Sequence, residues 1–326
     1  RELAGYSQRQ LELGGGFYGM MPDQLADPDS IPIPKDAEGR RAAALHLARK
    51  REENLAALTQ VNPKYAHSFR DGTLADYLSR VDVAPAEAGV PAGLDLKLDV
   101  TALTGFFAAL DDGEISADEA AALAALPSNQ EMLLHRRNLG YVPEPLPDTE
   151  SLATMIRMAG STDPLDRLWC WIHSQNAFDY ADLVQHADGY RRFLAELDRH
   201  GDALLDVALQ QIAHYTPAGI ELDATFAMTV GWGIRGWVTP DMAGTNIEQA
   251  KNDWRFLLGT LIEETYHRMQ LDLFPSVTGR PAREFSDLTA IDTGDARYDQ
   301  FFAILTYTVA EGAANRVAGP FAEGDL

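Results

Sequence analysis

The chain has little of three things: cysteine, basic residues and long apolar runs. Its 326 residues include one cysteine, Cys170, so no disulfide can form within the chain. The 27 lysines and arginines are outnumbered by 49 aspartates and glutamates, which gives a net charge of -22. A chain this acidic repels nucleic acid and anionic lipid headgroups, so neither is an expected partner.

No apolar run approaches the roughly 20 residues that cross a bilayer, so we expect a soluble protein with no membrane partner. The composition, 46% hydrophobic and 23% charged, is typical of ordinary globular proteins. Position 1 is Arg rather than Met, so we expect that an N-terminal segment has been removed. Both a cytoplasmic and a secreted location remain open, because a single cysteine suits a reducing compartment without requiring one.

Local patterns along the chain predict a mostly helical α+β fold with a small β-sheet or hairpin. Residues 1–97 are expected to form an irregular N-terminal arm and then a helical region, because glycines and prolines crowd the first 35 positions. Residues 98–326 are expected to form a second domain, although one continuous domain fits as well. Helices are predicted at 149–159, 163–186, 188–200, 202–213, 247–270 and 296–318.

Two shorter patterns stand out within the second region. Ser116 and Glu119 match a capping box, which predicts a helix that begins at this point. The segment Phe226–Val238 is rich in β-formers and is interrupted by glycines, which predicts two short strands with a bend at Gly231 and Gly233.

The most informative stretch is Gly259–Gln270, where three ionisable residues follow an apolar run. Glu263 and His267 are four positions apart and therefore share one face of the predicted helix. Glu264 lies about 100° further round, at the edge of that face. Carboxylates that begin inside an apolar helix need a partner. Glu311, in the last predicted helix, needs one for the same reason, so the sequence predicts a cation among these groups.

The spacing resembles the His-Glu-x-x-His helix of zinc peptidases, with Glu263 in place of the first histidine. Taken with the strand region before this helix and with Glu311-Gly312-Ala313-Ala314 after it, the chain resembles the gluzincin metallopeptidases over about residues 98–320. These enzymes form the thermolysin-like clan, and some of its zinc-dependent peptidase families are uncharacterised. The resemblance implies a thermolysin-like core packed against the helical N-terminal region.

The resemblance also implies roles for particular residues. Glu263, His267 and Glu311 would be the metal ligands and Glu264 the general base. Either Tyr298 or Tyr307 would donate a hydrogen bond to the oxyanion, and the Phe226–Val238 region would hold an extended substrate by backbone pairing. The implied function is a metal-dependent, peptidase-like hydrolase that cleaves a peptide or amide bond in a peptide or protein substrate.

A glutamate at position 263 changes the expected metal chemistry. Two carboxylates and one imidazole form a harder and more anionic set than two imidazoles and one carboxylate. Zinc remains the first expectation, with manganese and ferrous iron as competitors. The extra negative charge also makes the metal a weaker Lewis acid, so hydrolysis is expected to be weakened or replaced by other chemistry.

Three other interpretations stay open. The chain fits a catalytically silent relative that binds a peptide or protein partner along the cleft. It also fits a non-hydrolytic iron or manganese carboxylate enzyme, although the second Glu-x-x-His that a di-iron bundle uses is missing from the sequence. In the third interpretation the acidic residues form an ordinary polar face that pairs with arginines such as Arg268 and Arg316.

Overall fold

The computed structural model of the chain describes residues 72–81, 93–138, 148–163, 180–216, 219–231, 236–251, 253–278 and 296–319, with a few single positions besides. The predictions for the N-terminal arm and for most of the helix at 163–186 lie outside these residues. Within them, the fold is a mostly helical α+β architecture with one small mixed sheet, as the sequence predicts.

Ten helices and four strands follow one another in the described part of the chain. In the first half they are α1 Leu74–Leu78, β1 Leu94–Asp99, α2 Thr101–Asp111, α3 Ala117–Ala124, α4 Pro127–Asn138, α5 Thr149–Ala159 and α6 Tyr180–Gln185. In the second half they are α7 Ala187–Tyr215, β2 Leu222–Thr229, β3 Gly236–Val238, β4 Ala243–Asn246, α8 Ile247–Ala250, α9 Trp254–Thr278 and α10 Ala296–Ala318.

The strands form one sheet in the order β1-β2-β4-β3. β1 runs parallel to β2 and β2 runs parallel to β4, whereas β3 pairs with β4 in the antiparallel direction. The expected pair of strands near Phe226–Val238 therefore exists as β2 and β3, but the two are not neighbours because β4 lies between them. Among the described residues, β1 and β3 form the two edges of the sheet.

Two strands were not predicted. In β1 the buried Leu94 and Leu96 alternate with the exposed Asp95 and Lys97. This alternation is typical of a half-buried strand, but the segment is only six residues long and its partner β2 is remote in the sequence. In β4 all four residues are buried, so the strand has no alternation to reveal it.

The helix boundaries agree in part with the predictions. α5 and α10 span the predicted 149–159 and 296–318, and the Ser116–Glu119 capping box starts α3 with both of its hydrogen bonds formed. The predicted break near Gly201 was wrong, because α7 continues through it and buries this glycine near Leu98 of β1. Tertiary packing there outweighs the roughly 1 kcal/mol by which glycine disfavours a helix.

The hydrophobic core joins the elements that carry the candidate site. α9 packs against β2, β3, β4 and α10, while α7 packs against β1 and α9. The predicted domain division at 97/98 falls inside β1, and the leucines of β1 belong to the same core cluster as those of α7 and α9. Among the described residues, no helix combines the length and the apolar character needed to cross a lipid bilayer.

Candidate metal centre

Glu263, Glu264 and His267 lie on helix α9 where this helix reaches the edge of the core. Leu257, Leu258, Leu261 and Ile262 are fully buried and fix the first half of this helix against the sheet. The next turn brings the ionisable residues to the edge of the core, where His267 is still buried and the two glutamates are partly exposed.

Helix α10 approaches the same turn of α9 closely because the residues on its contact face are small. Ala310, Ala314 and Ala318 are buried at helical spacing, and side chains of this size allow two helix axes to come close together. The C-terminal end is fixed by a buried hydrogen bond of 2.6 Å from the Gln211 side chain of α7 to the carbonyl of Val317. Glu311, next to Ala310, is thereby held beside α9.

The two helices bring three potential ligand atoms together. Glu263, His267 and Glu311 each offer one such atom, and these atoms all lie within 4.8 Å of one another. The His267 Nε2 atom lies 3.7 Å from Glu311 Oε2. Ligands about 2.1 Å from a tetrahedral zinc ion are about 3.4 Å apart, so the set is slightly wider than a closed zinc site. Closing the site requires the side chains to move towards one another. The donor types, two carboxylates and one imidazole, suit a divalent cation.

Gln270 determines which nitrogen of His267 is available. The Gln270 amide nitrogen donates to the carbonyl of Ala310 at 3.2 Å, and that carbonyl can only accept. The Gln270 Oε1 atom therefore faces the His267 ring, where it accepts from Nδ1–H at 2.8 Å. With its proton held on Nδ1, the neutral imidazole directs the Nε2 lone pair towards Glu311. Histidine ligands of metals are oriented in this way by a second hydrogen bond.

His267 and Glu311 also change each other's proton affinity. Burial lowers the pKa of His267, but the pairing with Glu311, the charge of Glu264 and the bond to Gln270 outweigh burial and raise this pKa to about 9. Pairing with His267 lowers the pKa of Glu311 in spite of partial burial, and a hydrogen bond from Tyr307 adds to that effect. In the metal-free protein the imidazole is therefore protonated at neutral pH, and a cation has to displace that proton.

Glu264 is held against the edge strand β3. A methyl group at Gly236 would lie 2.5 Å from the Glu264 Cδ atom and 2.6 Å from its Cγ atom, so only glycine leaves room for this carboxylate. His135 of α4 keeps β3 in position, because its Nδ1 donates to the carbonyl of Val238 at 2.9 Å. The carboxylate expected to act as the base thus lies between α9 and the strand expected to hold substrate.

The two candidate tyrosines occupy different places on α10. Tyr307 is one turn from Glu311 and hydrogen-bonds to its carboxylate, although its side chain is half exposed. Tyr298 is exposed and thirteen residues from Glu311, which corresponds to about 20 Å along the helix axis. The structure therefore brings Tyr307 into the site and leaves Tyr298 at the far end of the helix.

The arginines proposed as alternative partners do not neutralise the candidate ligands. Arg268 forms an ion pair with Asp272, one turn further along α9. Arg316 is exposed near the end of α10 and has no acidic partner within the described part of the chain. The polar-face interpretation therefore does not account for Glu263 and Glu311 through these two side chains.

Comparisons with protein-family models, with curated proteins and with solved structures found no match to this chain. The gluzincin resemblance therefore remains a prediction from the motif residues of the sequence.

Sequence reasoning missed two residues of this site, Gln270 and Gly236. Gln270 lies three positions after His267, the spacing at which helical side chains meet, so the periodicity contained a usable signal. Gly236 gave no signal, because its contact with Glu264 depends on how β3 lies against α9.

If Gln270 orients a metal ligand, replacing it by alanine should weaken divalent-metal binding by about 10- to 100-fold, the usual cost of losing an outer-shell partner of a metal site. Isothermal titration calorimetry of the metal-free protein with zinc measures this affinity. Gln210→Ala, on a partly buried side chain of α7, is the matched control and should leave affinity unchanged. Equal affinities of the two variants would show that Gln270 has no role at the centre.

If Glu264 acts as a base, replacing Gly236 by alanine should displace its carboxylate and lower activity by about 10- to 100-fold, because misplacing a catalytic group by about 1 Å is enough for such a loss. Metal affinity should not change, and stability should change little, because the displaced atoms belong to the movable end of a side chain. The variant and the unaltered protein are compared by kcat for activity, by zinc titration for metal affinity and by thermal unfolding for stability.

The matched control is Gly312→Ala, next to Glu311, where an added methyl group meets nothing within 4 Å. This exposed helix position should gain about 0.5–1 kcal/mol of stability with activity retained. Full activity in Gly236→Ala would mean that β3 does not position the base.

Proposed function

We propose that the protein is a metal-dependent hydrolase, peptidase-like in character, that cleaves a peptide or amide bond. The observation that carries the proposal is the convergence of Glu263, His267 and Glu311 from two helices, with their ligand atoms within 4.8 Å of one another. The hydrogen bond between Gln270 and His267 Nδ1 adds support, because it leaves Nε2 as the ring nitrogen that can lose its proton and bind a cation.

When bound there, a divalent cation would polarise a substrate carbonyl and lower the pKa of a water molecule. Glu264 would accept the proton of the attacking water and pass it to the leaving amine, which is the ordinary task of a general base close to a scissile bond. Tyr307 orients Glu311 through its hydrogen bond and remains the better placed of the two tyrosines to reach an oxyanion.

The substrate class follows from the strand next to the base. β3 is an edge strand among the described residues, and it lies against Glu264 through Gly236. An edge strand can pair with an extended peptide backbone, which would bring a scissile amide beside the carboxylate. This is the reason for proposing a peptide or protein substrate in preference to a small ester.

Metal content and turnover test the proposal together. Protein purified without added metal is analysed for bound elements and then assayed on a mixture of quenched fluorescent peptides, with and without zinc, manganese or ferrous iron. About one metal per chain together with metal-dependent cleavage supports the hydrolase. A bound metal without cleavage favours non-hydrolytic carboxylate chemistry, and the absence of both favours a catalytically silent protein that binds peptides.

The substitution Glu263→His completes the His-Glu-x-x-His pattern and should shift the metal preference of the site towards zinc. An imidazole in place of a carboxylate makes the donor set softer and less anionic, and the metal becomes a stronger Lewis acid. We expect tighter zinc binding relative to manganese and faster amide cleavage with zinc, measured by competitive titration and by kcat. An unchanged zinc-to-manganese ratio would show that residue 263 does not contact the metal.

A further inference from the structure

A pocket of about 410 Å³ lies at the other end of α9, away from the candidate metal centre. Its walls come from α7, from residues 72–73 just before α1, from Lys251 at the end of α8 and from Trp254 at the start of α9. This volume is within the range of small-molecule binding sites. Its residue Trp254 precedes Glu263 by nine positions, which is about 14 Å along the helix axis, so the two sites share a helix without overlapping.

The charge lining this pocket is opposite to the charge of the protein. Among the described residues that line it are three cations, Arg192, Arg199 and Lys251, and one carboxylate, Glu196, in a chain that carries -22 overall. Lys251 is already matched, because its Nζ lies 3.2 Å from Asp182 Oδ2. The lining therefore keeps an excess of positive charge.

Glu196 cannot neutralise both arginines. One of its oxygens pairs with Arg199 at 3.1 Å, and the other accepts from the backbone N–H of Leu74 at 3.0 Å. Arg192 is exposed, and no carboxylate pairs with it within the described part of the chain. A guanidinium at the wall of a pocket with no acidic partner is a ready contact for an anion.

A stacked aromatic pair forms the apolar part of the pocket wall, where Phe193 is 4% exposed and Trp254 is 5% exposed. The rings of Phe193 and Trp254 stack with their centroids 4.8 Å apart and their planes 5° from parallel. The Trp254 indole is held by a hydrogen bond of 3.3 Å to the carbonyl of Gly72. Arg192 and Phe193 both line the pocket, so a single ligand can contact the guanidinium and the apolar wall.

We infer that this pocket binds a small organic carboxylate with a flat apolar body. The carboxylate pairs with Arg192, and the apolar body lies against the wall formed by Trp254 and Phe193. This binding site is independent of the proposed hydrolase activity, because none of its lining residues belongs to the candidate metal centre.

The test uses the full chain and two probes of nearly the same shape, the anionic 4-(trifluoromethyl)benzoate and its uncharged amide. Ligand-observed fluorine NMR and calorimetry measure their affinities. The carboxylate should bind at least about 10-fold more tightly than the amide, the usual contribution of one charge-assisted hydrogen bond. Equal affinities, or no binding of either probe, would refute the inference.

The neighbouring arginine on the same helix provides a matched control for the site. Arg192→Ala should weaken binding of the carboxylate by about 10-fold and leave the amide unaffected. Arg191→Ala removes a guanidinium that already pairs with Asp111 and lies 5.0 Å from the centre of the Phe107 ring, so binding of the carboxylate should stay within about twofold.

Thermal unfolding verifies that both variants are folded. We expect Arg192→Ala to fold normally because the Arg192 side chain is exposed. Arg192→Lys, which keeps the charge, should retain most of the affinity. Equal losses in Arg191→Ala and Arg192→Ala would place the binding elsewhere and overturn the assignment.

Discussion

Replacing His267 by alanine is expected to lower the affinity for a divalent metal by more than about 100-fold, beyond the 10- to 100-fold cost of an outer-shell partner. The imidazole is the single nitrogen donor of the three proposed ligands, and its loss leaves two carboxylates on separate helices. The measurement is zinc titration of the metal-free protein, with elemental analysis of the protein as purified.

A second readout separates loss of metal from loss of folding. Metal at 100 times its dissociation constant stabilises a folded protein by about 2.7 kcal/mol, so the melting temperature of the unaltered protein should rise when metal is added. His267→Ala should show no such rise. His214→Ala is the matched control, because this histidine is exposed on α7, and its variant should respond to metal like the unaltered protein. A normal metal response in His267→Ala would exclude the proposed centre.

Glu264→Gln is expected to lower kcat by about 10²- to 10⁴-fold, the usual contribution of a positioned acid or base. The amide has almost the shape of the carboxylate but cannot accept the proton of water at neutral pH. Because the three proposed ligands are unchanged, metal content and metal affinity should remain close to normal. Steady-state kinetics on the best peptide from the mixture give the rate, and titration gives the affinity.

The corresponding control is Glu221→Gln, at an exposed position just before β2. This substitution should leave both kcat and metal affinity unchanged. A Glu264→Gln variant that loses metal along with activity would make Glu264 a ligand instead of a base. A variant with full activity would remove Glu264 from the chemistry altogether.

Sequence patterns were sufficient wherever the information was local. The Ser116 cap, the helix at 149–159 and the last helix depend on contacts within a few residues, and each was confirmed. Glu311 also lies near His267, as predicted, although the burial assumed for Glu311 is only partial.

The sequence did not predict features that depend on remote pairing. The insertion of β4 between β2 and β3 cannot be read from four consecutive buried residues. The contact of Gly236 with Glu264 depends on the same arrangement, because it exists only once β3 lies against α9. Local preferences describe single elements, whereas the order of strands in a sheet is decided by packing across the whole chain.

The parallel pairing of β1 with β2 has a consequence for how the protein is made. Leu94 is matched with Leu222, so β1 leaves the ribosome long before its neighbour in the sheet has been translated. Contacts this distant in sequence form slowly, and a strand without its neighbour exposes backbone groups to other chains. The sheet can form only after β2 has been synthesised. Glu263 and Glu311 lie further along the chain than β2, so the candidate metal centre would form later still.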